Sequence, residues 1–104
     1  MSFTLPTELT QKELVLKVTM ASDSSGPGQV FWQEKSVTPI FVRDRSRGFN
    51  VQHDGKPHEY SVSWSAKNPV VGVRVDPSNA RGVIKISRIR LIDADGNEVY
   101  RWNF

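Results

Sequence analysis

The sequence contains no cysteine, which excludes disulfide bonds and thiolate chemistry. No apolar run approaches the ~20 residues that a membrane-spanning helix needs, and no amphipathic helical pattern of useful length is present. The motifs of common enzyme classes are also missing: a glycine-rich phosphate loop, a nucleophile elbow and a His-x-x-x-His array. Its acidic residues are scattered, so no pair is suited to glycoside hydrolysis. These absences favour a non-catalytic domain without α-helices.

The length and charge of the chain define a small, mildly basic domain. A chain of 104 residues is expected to be one domain with a single core, and residues 1–104 read as one module excised from a larger protein. The net charge of +3 comes mostly from arginine. This excess permits anionic partners but falls short of a nucleic-acid-binding signature, and an ordinary soluble surface is the interpretation of it that we favour.

Alternating apolar and polar residues predict an all-β fold. The alternating stretches are short and are separated by Asp-Gly, Asn-Pro and Asp-Pro turn signals. They predict about eight antiparallel strands in a two-sheet β-sandwich of the jelly-roll type. A short edge strand is expected at residues 40–42, because Pro39 fits best at a sheet edge. The clearest strands are residues 13–20, 29–33, 58–64, 71–75, 84–91 and 98–104.

One of these strands contains an irregularity. Ile84 and Ile86 should face the core, but the next apolar pair, Ile89 and Leu91, has the opposite parity. An extra residue between the two pairs would return both of them to the core. We therefore expect a β-bulge near residues 87–88.

A second local pattern predicts a hairpin. Residues 49–53 and 58–64 are expected to pair around the turn Asp-Gly-Lys-Pro. His53 and His58 would then lie side by side across the hairpin. Zinc needs three or four ligands, and only two carboxylates lie nearby in the sequence. We expect a turn-flanking pair without a metal.

The pattern of Asp93, Asp95, Gly96 and Asn97 loosely matches a calcium loop. It lacks the glutamate at the twelfth position and the flanking helices of an EF-hand. An Asp-Gly hairpin turn explains the same residues without a metal. No cofactor is expected, although a structural calcium ion is left open.

Four segments in order resemble a known type of accessory domain. They are residues 29–32, 54–60, 73–77 and 82–91, with the sequences QVFW, DGKPHEY, VRVDP and GVIKISRIRL. Their order resembles the galactose-binding-like β-sandwich modules appended to secreted glycan-active enzymes, above all bacterial sulfatases and polysaccharide hydrolases. The likeness covers about residues 14–104 and is one of strands and turns.

The resemblance implies carbohydrate binding without catalysis, and often a structural calcium ion. The expected partners are a polysaccharide or other glycan and the catalytic domain of a parent enzyme, which would be secreted or periplasmic. A membrane is not an expected partner. The three tryptophans are the natural candidates for stacking on sugar rings, but their neighbours on each strand are apolar, so packing is the interpretation that we favour. They are Trp32, Trp64 and Trp102.

Basic side chains are the better candidates for a ligand-binding surface. Three arginines recur at every second position, so an extended chain would present them on one side. Four more bases lie on two strands expected to be neighbours, where most should face outward and form one basic platform. Guanidinium groups suit sulfate and carboxylate oxygens, but an ordinary solvated sheet face is the alternative. The first set is Arg43, Arg45 and Arg47, and the second is Arg74, Lys85, Arg88 and Arg90.

These observations favour a carbohydrate-binding accessory module that holds a parent enzyme near its substrate, which could be an anionic or sulfated polysaccharide. The main alternative is a structural sandwich that packs on a catalytic domain through an exposed apolar patch, with no ligand of its own. Single-stranded nucleic acid ranks last, because that function needs aromatic residues on the basic face.

Overall fold

Two antiparallel sheets of four strands each form a β-sandwich, which confirms the predicted fold class. The computed structural model describes all 104 residues. Besides the strands it contains one 3-10 helix, Arg43–Arg45. The strands are β1 (Ser2–Leu9), β2 (Glu13–Ser22), β3 (Gly28–Glu34), β4 (Ser46–Phe49), β5 (His58–Ser65), β6 (Val70–Asp76), β7 (Ile84–Asp93) and β8 (Glu98–Asn103).

The chain passes repeatedly from one sheet to the other. The strand order is β1-β6-β3-β4 in the first sheet and β5-β2-β7-β8 in the second. Only β3–β4 and β7–β8 follow each other within one sheet, and the other connections cross the sandwich. The nesting of β3 beside β6, and of β2 beside both β5 and β7, is that of a jelly roll. As a consequence, β6 and β7 are consecutive in the chain but lie in different sheets.

The core lies between the inner faces of the two sheets, where the alternation places its apolar residues. The ring planes of Trp32 on β3 and Trp64 on β5 are 9° apart, with centroids separated by 5.0 Å, so this pair joins the two sheets. Both rings are almost fully buried, which confirms the packing role that the sequence predicts for them. The central inner-face residues, all buried, are Leu14, Leu16, Val18, Met20, Val30, Val62, Val73, Val75, Ile89 and Leu91.

The predicted β-bulge is present in β7. Thr19 of β2 lies opposite Arg88, whereas the next residue, Met20, lies opposite Ile86. Ser87 is therefore the extra residue, and it returns Ile86 to the same face as Ile89. The bulge also fixes which side chains of β7 point outward, beginning with Arg88.

The hairpin predicted around residues 54–57 is wrong. Its two arms belong to different sheets, because β4 pairs with β3 and β5 pairs with β2. The pairing of β5 with β2 is continuous from Glu13 opposite Ser65 to Met20 opposite His58. A local pairing with the four-residue β4 offers far fewer hydrogen bonds and a much smaller buried face.

The edge strand predicted at residues 40–42 is also absent. This segment is irregular and leads into the 3-10 helix, and the strand forms only from Ser46 onward. Ile40 is exposed, and the Phe41 ring packs edge-on against Phe31 on the outer face of the first sheet, a contact that needs no strand pairing. Pro39 lies in the irregular segment between β3 and the 3-10 helix, where its lack of a backbone N–H group costs no strand hydrogen bond.

Glu34, at the end of β3, is a buried carboxylate whose hydrogen-bonding capacity is well used. It accepts hydrogen bonds from Trp32 Nε1 at 2.9 Å, from the Asn68 backbone N–H at 3.1 Å and from Asn68 Nδ2 at 3.0 Å. Burial alone would raise the pKa of Glu34, but these hydrogen bonds outweigh it and hold the pKa below its ordinary value. Glu34 therefore stabilises the fold in its ionised form.

The substitution Glu34→Gln is expected to lower the free energy of unfolding at neutral pH by about 1.5–3 kcal/mol, since hydrogen bonds to a charged acceptor are lost. A folded-state pKa below the unfolded value of about 4.3 gives stability that is present above that pH and lost as the pH falls through the folded value. The difference between wild type and variant should therefore shrink on acidification. Urea unfolding at neutral pH and near pH 3 measures it.

The control for this experiment is Asp95→Asn. Asp95 is exposed in the β7–β8 turn, and its carboxylate takes part in no hydrogen bond or ion pair. A Glu34→Gln difference that is the same at both pH values would contradict the role assigned to the ionised carboxylate.

Candidate functional site

The seven predicted ligand-binding residues do not form one platform. Arg74 lies on β6 in the first sheet, whereas Lys85, Arg88 and Arg90 lie on β7 in the second. The prediction that β6 and β7 are neighbours is wrong, because their connection crosses the sandwich. Arg74 therefore projects from the face opposite to the other three.

Arg74 is engaged within its own sheet. Its Nε and Nη2 atoms each donate a hydrogen bond of 2.9 Å to the carboxylate of Asp76. Its guanidinium carbon lies 5.1 Å from the ring centroid of Phe31 and 6.0 Å from that of Phe41. Salt bridge and stacking together fix the side chain, and they leave little of it free for a ligand.

The three alternating arginines do not share one side either, because the chain is not extended between them. Arg43 and Arg45 lie on the 3-10 helix, and Arg45 donates hydrogen bonds to the backbone carbonyls of Pro39 and Ile40. Arg47 lies on β4 with its guanidinium 5.8 Å from the Trp32 ring centroid. The guanidinium of Arg43 alone among these three is in no hydrogen bond, ion pair or ring contact.

The outer side of the second sheet carries a set of bases, which we call the basic face. On three adjacent strands, Lys17 lies opposite Arg90, and Arg90 lies opposite Arg101. Arg88 projects from the next outward position of β7, and Lys85 follows beyond the bulge. Because neighbouring strands are ~4.8 Å apart, the three central bases form a row of cations across the sheet.

Two carboxylates hold the basic face together. Glu59 of β5 lies 3.6 Å from Arg90, 3.7 Å from Arg88 and 3.9 Å from Lys17. Glu98 of β8 lies 2.9 Å from Arg90. These partners serve four of the five cations, since Lys85 is in no ion pair. With Glu13 at the end of β2, the strands present three acids to five cations on this face, so it keeps an excess of positive charge.

Glu98 is hydrogen-bonded to two arginines although it lies at the surface. It also accepts a hydrogen bond of 2.8 Å from Arg101 Nη2. This hydrogen bond, together with the one from Arg90, holds the pKa of Glu98 below its ordinary value. Glu98 therefore stays ionised into the acidic range and fixes the two arginines relative to each other.

Lys17 and Arg101 were not among the predicted site residues. Their outward direction could be read from the sequence, since Leu16 and Val18 flank Lys17, and Tyr100 and Trp102 flank Arg101. Their proximity could not, because it depends on β7 lying between β2 and β8. That pairing is set by the whole fold.

The aromatic residues of the second sheet lie on its inner face, so the basic face has none. Tyr60 and Trp64 of β5 face the core, and on β8 Tyr100 and Trp102 lie opposite the buried residues Leu91 and Ile89. Serine hydroxyl groups and Thr19 fill the spaces around the cations. The basic face therefore offers charge and hydrogen-bond donors, but no ring on which a base or a sugar could stack.

The two histidines have different partners. His53 Nε2 donates a hydrogen bond of 2.8 Å to the Gly26 carbonyl, and its Nδ1 is hydrogen-bonded to the Ser22 hydroxyl at 2.7 Å. His58 Nε2 lies 2.9 Å from the Asp54 carboxylate. The two histidines do not face each other across a hairpin as predicted, because that hairpin does not form.

The residues between β7 and β8 form the predicted hairpin turn. Asp93 Oδ1 accepts hydrogen bonds from the backbone N–H groups of Asp95, at 3.0 Å, and Asn97, at 2.9 Å. Gly96 has a φ of +86°, which glycine adopts without strain. The aspartate thus acts as a turn residue, and no three His, Cys, Asp or Glu residues are grouped so that they could hold a metal ion.

A polar pocket lies on the outer side of the first sheet, on the face opposite the basic face. Its volume is about 500 Å³. The residues that line it include Gln29 of β3, Arg43 of the 3-10 helix and Asp76 of β6. Arg43 is one of the seven predicted residues, and its guanidinium group is free to bind a ligand in this pocket.

No protein-family model matches the chain, and neither a curated protein nor a solved structure is detectably similar to it. The structure has no helix that is long and apolar enough to cross a bilayer. The function must therefore be inferred from the basic face and the polar pocket.

Proposed function

We propose that this domain is a non-catalytic carbohydrate-binding module that holds an acidic or sulfated polysaccharide on its basic face. The observation that carries the proposal is the row of Lys17, Arg90 and Arg101 across three strands, flanked by Arg88. Arginine forks pair with sulfate and carboxylate oxygens through two parallel hydrogen bonds, which a lysine cannot match. The surrounding hydroxyl groups suit the sugar hydroxyls between the anionic groups.

The fixed geometry of the arginines favours binding. Glu98 hydrogen-bonds to both Arg90 and Arg101, and Glu59 lies at ion-pair distance from Arg88 and Arg90, so these side chains are partly oriented before a ligand arrives and less side-chain entropy is lost on binding. The same carboxylates compete with the ligand, and the face is open to solvent, so the affinity for one sugar unit should be weak. Repeated anionic groups along one polymer compensate through effective concentration, which suits a tethering role.

The proposed context is the one that the sequence resemblance implies. The module would keep a secreted or periplasmic catalytic domain, such as a sulfatase or a polysaccharide hydrolase, near a polymeric substrate. A structural calcium ion, which accompanies many such modules, belongs to this proposal as a property to be tested.

The proposal is tested by affinity electrophoresis of the domain in gels that contain neutral, uronic or sulfated polysaccharides, with and without calcium. Dextran and dextran sulfate are a matched neutral and charged pair. We expect retardation by the charged polymers only, and we expect it to weaken steeply with added salt because counterions are released on binding. Equal retardation by dextran and dextran sulfate, or none by any polymer, would exclude the proposal.

A structural role is the second candidate, and one observation favours it. Phe3, Tyr100, Trp102 and Phe104 form an aromatic cluster where β8 closes against β1, with neighbouring ring centroids 4.7–5.5 Å apart. Phe104 is 62% exposed, and the other three are half-buried. A neighbouring catalytic domain could cover this cluster. Failure of every polymer to bind would favour this role, and Phe104→Ser should then weaken the contact with the neighbouring domain in the longer protein.

A further inference from the structure

The polar pocket of the first sheet has the size and lining of a binding site for one small polar molecule. Its volume of about 500 Å³ is within the range of about 300–1,000 Å³ that is common for ligand pockets. Pro27 provides the only apolar side chain among the lining residues. A ligand would therefore be held by hydrogen bonds and charge.

Three polar groups of the pocket have no partner within the protein. The guanidinium of Arg43 and the side-chain amide of Asn79 take part in no hydrogen bond or ion pair. Gln29 donates from Nε2 to the Ser46 hydroxyl at 2.9 Å, which leaves its Oε1 as a free acceptor. The pocket thus combines one cation with an amide donor and an amide acceptor.

A fourth group is a fixed acceptor. The carboxylate of Asp76 is held in place by two hydrogen bonds from Arg74, each of 2.9 Å. A carboxylate has about four lone-pair positions, so Asp76 can still accept hydrogen bonds from a ligand hydroxyl. Because Arg74 balances its charge, Asp76 does not cancel the attraction of Arg43 for an anion.

We infer that this pocket binds one residue of an acidic sugar, a hexuronate. The sugar carboxylate pairs with Arg43, and the sugar hydroxyls bind the Asn79 amide, Gln29 Oε1 and the Asp76 carboxylate. A neutral hexose could hydrogen-bond to the Gln29 and Asn79 amides but would leave Arg43 unpaired. An inorganic anion would pair with Arg43 but would leave these amides without partners. This site is independent of the basic face, and a failure at one surface does not bear on the other.

The test is a titration of the isotope-labelled domain with galacturonate and with galactose, followed by the NMR signals of the backbone amides of Gly28 and Gly48. We expect galacturonate to shift these signals and to bind at least about tenfold more tightly than galactose, because the sugar carboxylate adds a charge-assisted pair. Arg43→Gln should remove this preference and leave the unfolding transition unchanged, since Arg43 is exposed. Lys12→Gln removes one exposed positive charge outside the pocket and should leave binding unaltered.

Gly48→Val provides a second test that does not change charge. A Cβ atom at Gly48 would meet only the Gly28 carbonyl oxygen, at 3.7 Å, so a valine fits the strand while its methyl groups fill the pocket floor. The variant should fold and lose galacturonate binding. The inference is overturned if galactose binds as well as galacturonate, if Arg43→Gln keeps the preference, or if neither sugar shifts the signals.

The same titration distinguishes a polysaccharide end from a free sugar acid. An oligosaccharide whose only charged unit is a terminal uronate should bind at least as tightly as galacturonate if the pocket recognises a chain end. Binding of the monosaccharide alone would assign the pocket to the free acid, with the same carboxylate contact to Arg43.

Discussion

The double variant Arg88→Gln/Arg90→Gln is expected to lose most of the affinity of the domain for dextran sulfate, a decrease of at least about tenfold, or 1.4 kcal/mol. Arg90 is the centre of the cation row and contacts both Glu59 and Glu98. Glutamine keeps the hydrogen-bonding character and similar bulk but removes the charge. The slope of log affinity against log salt should also fall by about 2, since each lost contact with a sulfate group removes about one released counterion. Retention on affinity gels at several salt concentrations measures both effects.

The control for this variant is Lys12→Gln. Lys12 is exposed, precedes β2 and takes part in no ion pair, so its loss changes the net charge without touching the basic face. A comparable loss of affinity in Lys12→Gln would show that net charge alone drives binding. Unchanged binding in the double variant would show that the polymer does not bind to the basic face.

Trp32→Ala is expected to lower the free energy of unfolding by about 3–5 kcal/mol. Trp32 is 2% exposed and stacks on Trp64 across the sandwich, so its removal leaves a cavity between the sheets. It also takes away the Nε1 hydrogen bond of 2.9 Å to the buried carboxylate of Glu34, which adds a polar penalty. Since domains of this size are stable by roughly 5–15 kcal/mol, the variant should be marginally folded. Urea unfolding followed by circular dichroism measures the change.

Val83→Ala is the control, because Val83 is 72% exposed and should change stability by less than about 0.5 kcal/mol. Trp32→Phe separates the two contributions at Trp32, since phenylalanine keeps most of the packing but not the hydrogen bond. A loss below about 1 kcal/mol in Trp32→Ala would contradict a central role for the tryptophan pair.

The sequence predicted the faces of the strands well, because side-chain alternation is a local property. Leu16 and Val18 are buried and Lys17 between them faces outward, as the two-residue period of a strand requires. The bulge at Ser87 was also predictable, since two apolar pairs of opposite parity can share one face only if an extra residue lies between them. The predicted β7–β8 hairpin is confirmed for the same reason: its turn sequence is local.

The assignment of strands to sheets was not predictable in the same way. The hairpin between residues 49–53 and 58–64 and the neighbouring placement of β6 and β7 both assumed that consecutive strands pair, which they usually do. In a jelly roll most connections cross between the sheets, and pairing is decided by the buried faces of distant strands. The candidate site therefore differs from the predicted one. Arg74 lies on the other sheet, whereas Lys17 and Arg101 lie beside Arg88 and Arg90 on the basic face.

NMR mapping of dextran sulfate on the isotope-labelled domain is the decisive measurement for the basic face. Because sulfate can pair with Arg43 as well as with the basic face, the mapping is done on the Arg43→Gln variant, in which the polar pocket has lost its cation. We predict shifts at the amides and side chains of Lys17, Arg88, Arg90 and Arg101, with β3 and β6 of the first sheet unaffected. Shifts confined to the first sheet, or no shifts at low salt, would contradict a polysaccharide-binding role for the basic face.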